Sequence, residues 1–139
     1  MKGIAYYITE SIDDPARIFI IIKPGFFKYT QQILEYFRKE GWVVEKQRSK
    51  RLLLKEARQL YKIHKDEDWY KDLCIYMSSD ITTAFILKNE DLKMSQKIFE
   101  GTSSIKDAIR KEYGESDMRN VIHSSDSLEH MRQEQSIYF

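Results

Sequence analysis

The chain is short of the residues from which most familiar sites are built. It has one cysteine, Cys74, among 139 residues, so no internal disulfide can form and no metal centre resting on several cysteines is available. Five glycines are few, and none forms a G-x-x-x-x-G-K-[ST] or G-x-G-x-x-G loop. Any phosphate must therefore be held by side chains rather than by a glycine-rich cradle. Three histidines occur, without the pair spacing of a zinc site, and there is no G-x-S-x-G elbow. No apolar run approaches the length of a membrane span. The opening M-K-G-I-A-Y-Y-I-T-E lacks the apolar core and cleavage site of a signal peptide. A surplus of one charge is missing too: 23 Lys and Arg face 22 Asp and Glu. That balance argues against a broad nucleic-acid footprint, though a local basic cleft remains open. The expectation is a soluble cytoplasmic domain with no membrane or nucleic-acid partner.

What is present is a well-patterned core, with 42% hydrophobic and 13% aromatic residues. R-I-F-I-I-I-K-P, Arg17 to Pro24, reads as a buried central strand stopped by Pro24. From Thr30 the pattern turns helical, and Gly41 closes that helix. W-V-V-E-K-Q, from Trp42, reads as the second strand, with an apolar edge. L-L-L-K-E-A-R-Q-L-Y-K-I-H reads as a second helix and W-Y-K-D-L-C-I-Y-M as a short third. I-T-T-A-F-I-L, from Ile81, is the third strand. A helix from Asp91, a loop at G-T-S-S, and a short helix ending at Gly114 follow. R-N-V-I-H is the fourth strand. Asp126, with Glu129 three residues on, is expected to cap the last helix.

This order fits an α+β fold: a ferredoxin-like βαββαβ arrangement with a four-stranded antiparallel sheet covered by helices. Residues 1–16 read as an N-terminal extension, with an A-Y-Y-I patch that either pairs or forms a tail, and residues 17–139 as the domain.

The chemistry candidate is His123, in N-V-I-H-S-S-D-S. A neutral imidazole is a competent nucleophile near pH 7, provided its ring is fixed. Ser125 and Glu134, two turns into the following helix, are candidates to hold it. By itself, a histidine ending a strand is more often structural than catalytic.

The motif N-V-I-H-S-S-D-S resembles the N-x-x-H-[GA]-S-D-S signature of nucleoside diphosphate kinases. I-I-I-K-P resembles the family's first strand with its phosphate-contacting lysine, Y-M-S-S-D its Y-M-S-S-G, and S-I-Y-F its G-L-W-F terminus. The resemblance spans Ile18 to Phe139 in family order. It implies ping-pong transfer of a γ-phosphate from a nucleoside triphosphate to a nucleoside diphosphate, with His123 as the phosphorylated nucleophile. Lys23, Thr102 and Arg110 would contact phosphates, and Tyr61 would sit by the histidine. Asn120 would bind the sugar, and Ser125 and Glu134 would fix the ring. Trp69 would stack on the base and Leu73 cover its edge; stacking accepts any base. Mg²⁺ would arrive with the nucleotide, held mainly by its phosphates. The family also implies a homo-oligomer, a dimer-based tetramer or hexamer.

The chain departs from the family pattern in places. Gln96, beside Lys97, stands where the family has a phosphate-binding arginine, a loss of a bidentate fork. K-P-G-F-F replaces K-P-D-G-V, Ser124 replaces a glycine, and Thr102 to Arg110 is shortened. These departures motivate an alternative, a divergent member that binds nucleotide or a protein partner with little turnover. The residues leave open which ring nitrogen would react. A nucleic-acid module on the same fold lacks both the charge and the aromatic pair it needs.

Overall fold

A computed structural model of the chain describes residues 14–139. The A-Y-Y-I patch lies outside the described residues. Four strands form one antiparallel sheet in the order β2-β3-β1-β4: β1 (Pro15–Ile22), β2 (Val43–Lys50), β3 (Thr82–Lys93) and β4 (Ile122–Ser124). The helices among the described residues are α1 (Thr30–Arg38), α2 (Leu54–Leu60), α3 (Tyr70–Met77), α4 (Gln96–Tyr113) and α5 (Leu128–Gln135). The expected α+β sandwich is therefore the observed one.

Alternation along β1 explains the two layers. Ile18, Ile20 and Ile22 face a core shared with Ile33, Leu34 and Phe37 of α1 and Ile98, Ile105 and Ile109 of α4. Phe19 and Ile21 face the other core, with Ala57 and Leu60 of α2, Leu73 and Met77 of α3, and Met131 of α5. With both faces covered, β1 is the continuous apolar run that a central strand requires. The C-terminal S-I-Y-F closes the second layer, where Tyr138 is buried and its hydroxyl shares a 2.6 Å hydrogen bond with Thr82.

Gly41 ends α1 as expected. It takes φ +94°, its N–H reaches Arg38 O and the Trp42 N–H reaches Phe37 O, the paired bonds of a Schellman stop. The structure corrects several other expectations. Trp42 is core rather than an exposed edge; the apolar surface on that edge is Val43, 53% exposed, and Val44. The second helix is shorter, with α2 ending at Leu60 and a separate 3-10 turn over Lys62–His64. Residues 91–93 extend β3 instead of starting a helix, and G-T-S-S is not a loop. The helix α4 runs unbroken through it because Ile98, Phe99, Thr102, Ile105 and Ile109 keep one buried face. One exposed glycine, Gly101, costs about 1 kcal/mol in a helix and is outweighed by that burial. Ser127, not Asp126, caps α5: its hydroxyl accepts from the His130 N–H at 3.2 Å. The fourth strand starts at Ile122, because Val121 takes φ +82° and cannot continue a ladder.

Candidate active site

The antiparallel register sets His123 opposite Ile21, one pair from the end of β1, and Lys23 follows just beyond that end. The Lys23 N–H donates to Val121 O at 2.8 Å. The Ile122 N–H donates to Asn120 O at 3.0 Å, closing a γ-turn on Val121. A positive φ at a buried β-branched residue is a strained arrangement, held here by the sheet on one side and this turn on the other. The turn brings Asn120 and His123 to the same cleft.

Arg119 locks the two loops that meet there. Its guanidinium lies over the rings of Phe26 and Tyr76, at 5.5 and 5.2 Å, and its Nε donates to Glu115 at 2.9 Å. Gly25, at φ +90°, leaves the room: a Cβ there would come within 2.8 Å of the guanidinium. Tyr76 adds a hydrogen bond from its hydroxyl to Pro24 O.

The cleft is a cavity of about 530 Å³. Lys23, Tyr61, Trp69, Leu73, Arg110, Asn120 and His123, all singled out from the sequence, line it together. The His123 ring donates from Nε2 to Glu134 Oε1 at 2.5 Å, and the buried Ser125 hydroxyl donates to the same oxygen at 2.9 Å. This fixes the tautomer: with the proton on Nε2, Nδ1 carries the lone pair. Tyr61 stands edge-on to the imidazole, with centroids 5.4 Å apart. Its buried hydroxyl has no hydrogen-bond partner among the described residues, and burial raises its pKa well above the usual phenol value.

The cavity also has a cationic wall of Lys23, Lys106 and Arg110. Lys23 is only 4% exposed, and its ammonium has one long bond, 3.4 Å to Met118 O. Burial, then Arg110 and Lys106, push its pKa down to about 7. Arg110 donates from Nη2 to Ile122 O at 2.8 Å, and its buried Nε has no partner among the described residues. Asn120 donates to Asp117 O at 2.8 Å and keeps a buried Oδ1 with no partner among the described residues. Buried polar atoms without partners are costly, and Tyr61, Arg110 and Asn120 bring three of them to this cavity. At its mouth, Trp69, 43% exposed, lies 5.0 Å from the His64 ring.

Four expected residues do not line the cavity: Ser125 and Glu134 stand behind the His123 ring, and Gln96 and Thr102 are engaged elsewhere. Gln96 is exposed and donates to Asp126 O at 2.9 Å. Thr102 is buried, with its hydroxyl turned back to Phe99 O at 3.2 Å. Both follow from the unbroken α4. Sequence reasoning missed His64, Lys106, Asp117, Met118, Ser124 and Asp126 as lining residues. Lys106, one turn before Arg110, was legible only once α4 was known to be continuous.

Among the described residues, no three His, Cys, Asp or Glu side chains gather where they could hold a metal, and no helix is long and apolar enough to cross a membrane. A donor set of cations with scattered carboxylates suits an ion that enters already bound to phosphate.

Comparison with known proteins agrees with this geometry. The family model described as nucleoside diphosphate kinase matches residues 16–139. The nucleoside diphosphate kinase of Helicobacter pylori (strain P12) is 31% identical, over 88% of this chain and 94% of its own. That of Kosmotoga olearia is 27% identical, over 88% of each. Among solved structures, the Aquifex aeolicus nucleoside diphosphate kinase superposes with a TM-score of 0.74 at 26% identity, covering 90% of this chain and 95% of that one. The chain belongs to the nucleoside diphosphate kinase family.

Proposed function

We propose that the chain is a nucleoside diphosphate kinase working by ping-pong transfer through His123. The observation that carries this reading is the His123–Glu134 contact, which holds the Nε2 proton and leaves the Nδ1 lone pair as nucleophile beside a cationic wall. In the first half-reaction Nδ1 bonds to the γ-phosphorus of a nucleoside triphosphate. The bond from that phosphorus to the bridging oxygen breaks, and the diphosphate leaves with the electron pair. In the second, a terminal oxygen of another diphosphate takes the phosphoryl group, and the N–P electron pair returns to Nδ1. The Nε2 proton stays on the ring throughout, and Glu134 balances the charge that phosphorylation places there. Ser125 keeps the carboxylate in place.

A loose phosphoryl transition state asks for positioning and positive charge. Lys23 and Arg110 supply charge along the phosphate chain, and Tyr61 offers its free hydroxyl beside the ring. The free Oδ1 of Asn120 accepts from a sugar hydroxyl, and the base stacks on Trp69 against Leu73. Asp126, a carboxylate on the cavity lining, would face a Mg²⁺ ion brought in by the nucleotide, which would supply charge neutralisation. The partners are then nucleoside di- and triphosphates in a cytoplasmic setting. A homo-oligomer is part of the proposal, because β2 is an edge strand presenting Val43 and Val44 to solvent.

Mixing the protein with γ-labelled ATP and Mg²⁺ should give an acid-labile, base-stable phosphoprotein. Steady-state transfer from ATP to several diphosphates then separates turnover from binding alone.

A further inference from the structure

Besides Lys23 and Arg110, a third cation from α4, Lys106, lines the cavity. Gln96 and Lys106 are ten residues apart on a straight helix, about 15 Å along its axis, so the two ends of α4 cannot serve one phosphate group. Gln96 and Thr102 are both tied up outside the cavity. Lys106 and Arg110, one turn apart, share the face that lines it. Lys106 is half-buried, unlike its exposed neighbours on the helix, Lys97 and Lys111.

We infer that Lys106 is a phosphate-binding residue of this site, completing a three-cation wall with Lys23 and Arg110 in place of contacts at positions 96 and 102. The inference rests on the nucleotide-kinase reading of the cavity. Among the described residues, no hydrogen bond or ion pair engages the Lys106 ammonium. The charges that act on it are the Arg110 guanidinium and the carboxylates of Asp126, Asp107 and Glu134. Lys106 lines the same cavity as His123, whose ring is held by Glu134. Burial and Arg110 lower the Lys106 pKa against the pull of those acids. Three clustered cations repel one another in the empty protein, and a polyphosphate turns that repulsion into attraction.

The test uses the full chain with Lys106→Ala, Lys106→Arg and, as a surface control, Lys97→Ala. Loss of one charged hydrogen bond predicts a fall in kcat/KM of about ten- to a hundredfold for Lys106→Ala, carried mainly by kcat. Lys106→Arg should restore most of it, and Lys97→Ala should match wild type. Thermal unfolding supplies a second readout. Lys106→Ala should melt no lower than wild type without ligand, yet gain less from ATP or inorganic tripolyphosphate. Wild-type kcat/KM and wild-type ligand protection in Lys106→Ala would overturn the inference. So would a ligand-free melting loss that Lys106→Arg fails to restore, which marks a structural role. If the wild-type protein forms no phosphohistidine, the kinase reading fails, while tripolyphosphate protection still decides Lys106 by itself.

Discussion

Lys23 carries its ammonium just beyond the end of β1, buried near two other cations, with its pKa lowered to about 7. Phosphate beside it restores the charged form, so nucleotide binding should take up a proton above about pH 7, and affinity should weaken as pH rises from there. Calorimetry in buffers of different ionisation enthalpy reads that uptake directly. The same shift has a stability sign. The folded value lies below the ordinary 10.5, so between about 7 and 10.5 the unfolded chain binds more protons, and stability rises with pH across that window. Lys23→Met should flatten the slope. At Glu134, Glu134→Gln keeps an acceptor for Nε2 but removes the charge that balances a phosphorylated ring. His123 phosphorylation should slow about ten- to a hundredfold, measured by rapid-quench labelling. His123, Lys23 and Glu134 were legible in the sequence because each sits in or near a local motif. The hydroxyl of Thr102 was not, since its direction depends on the helix around it.

The helix α4 decides which of its residues reach the cavity. Sequence reading broke it at Gly101, following the local preference of G-T-S-S, whereas the buried stripe from Ile98 to Ile109 carries it through. A Cβ at Gly101 would meet nothing within 4 Å. Gly101→Ala should therefore stabilise the protein by about 0.5–1 kcal/mol without loss of activity, as read by urea unfolding and steady-state rates. At the other end of the site, Ser127 caps the helix that delivers Glu134. Ser127→Ala should cost about 1 kcal/mol of stability. The γ-turn on Val121 was invisible in the sequence, because nothing marks a valine for positive φ; only pairing of β1 with β4 forces it. That turn and the Arg119 clamp explain why Met118 and Asp117 join the cavity without a motif of their own.

At the scale of the whole molecule, two cores on either side of one sheet leave the cavity at a single end, where β1, β4 and α4 meet. The fold class was legible because hydrophobic period distinguishes strand from helix over most of the chain. The edge was misread at Trp42, where one residue of register moves a large ring from surface to core. If assembly uses the β2 edge, Val43→Glu should lower the mass seen by light scattering without altering the isolated fold. The central claim is chemical, and one measurement addresses it most directly: phosphorylation of the protein by γ-labelled ATP with Mg²⁺, for wild type and His123→Ala. The account predicts acid-labile, base-stable label on wild type, discharged by added diphosphate, and none on His123→Ala. Label taken up by His123→Ala at the wild-type rate would contradict it.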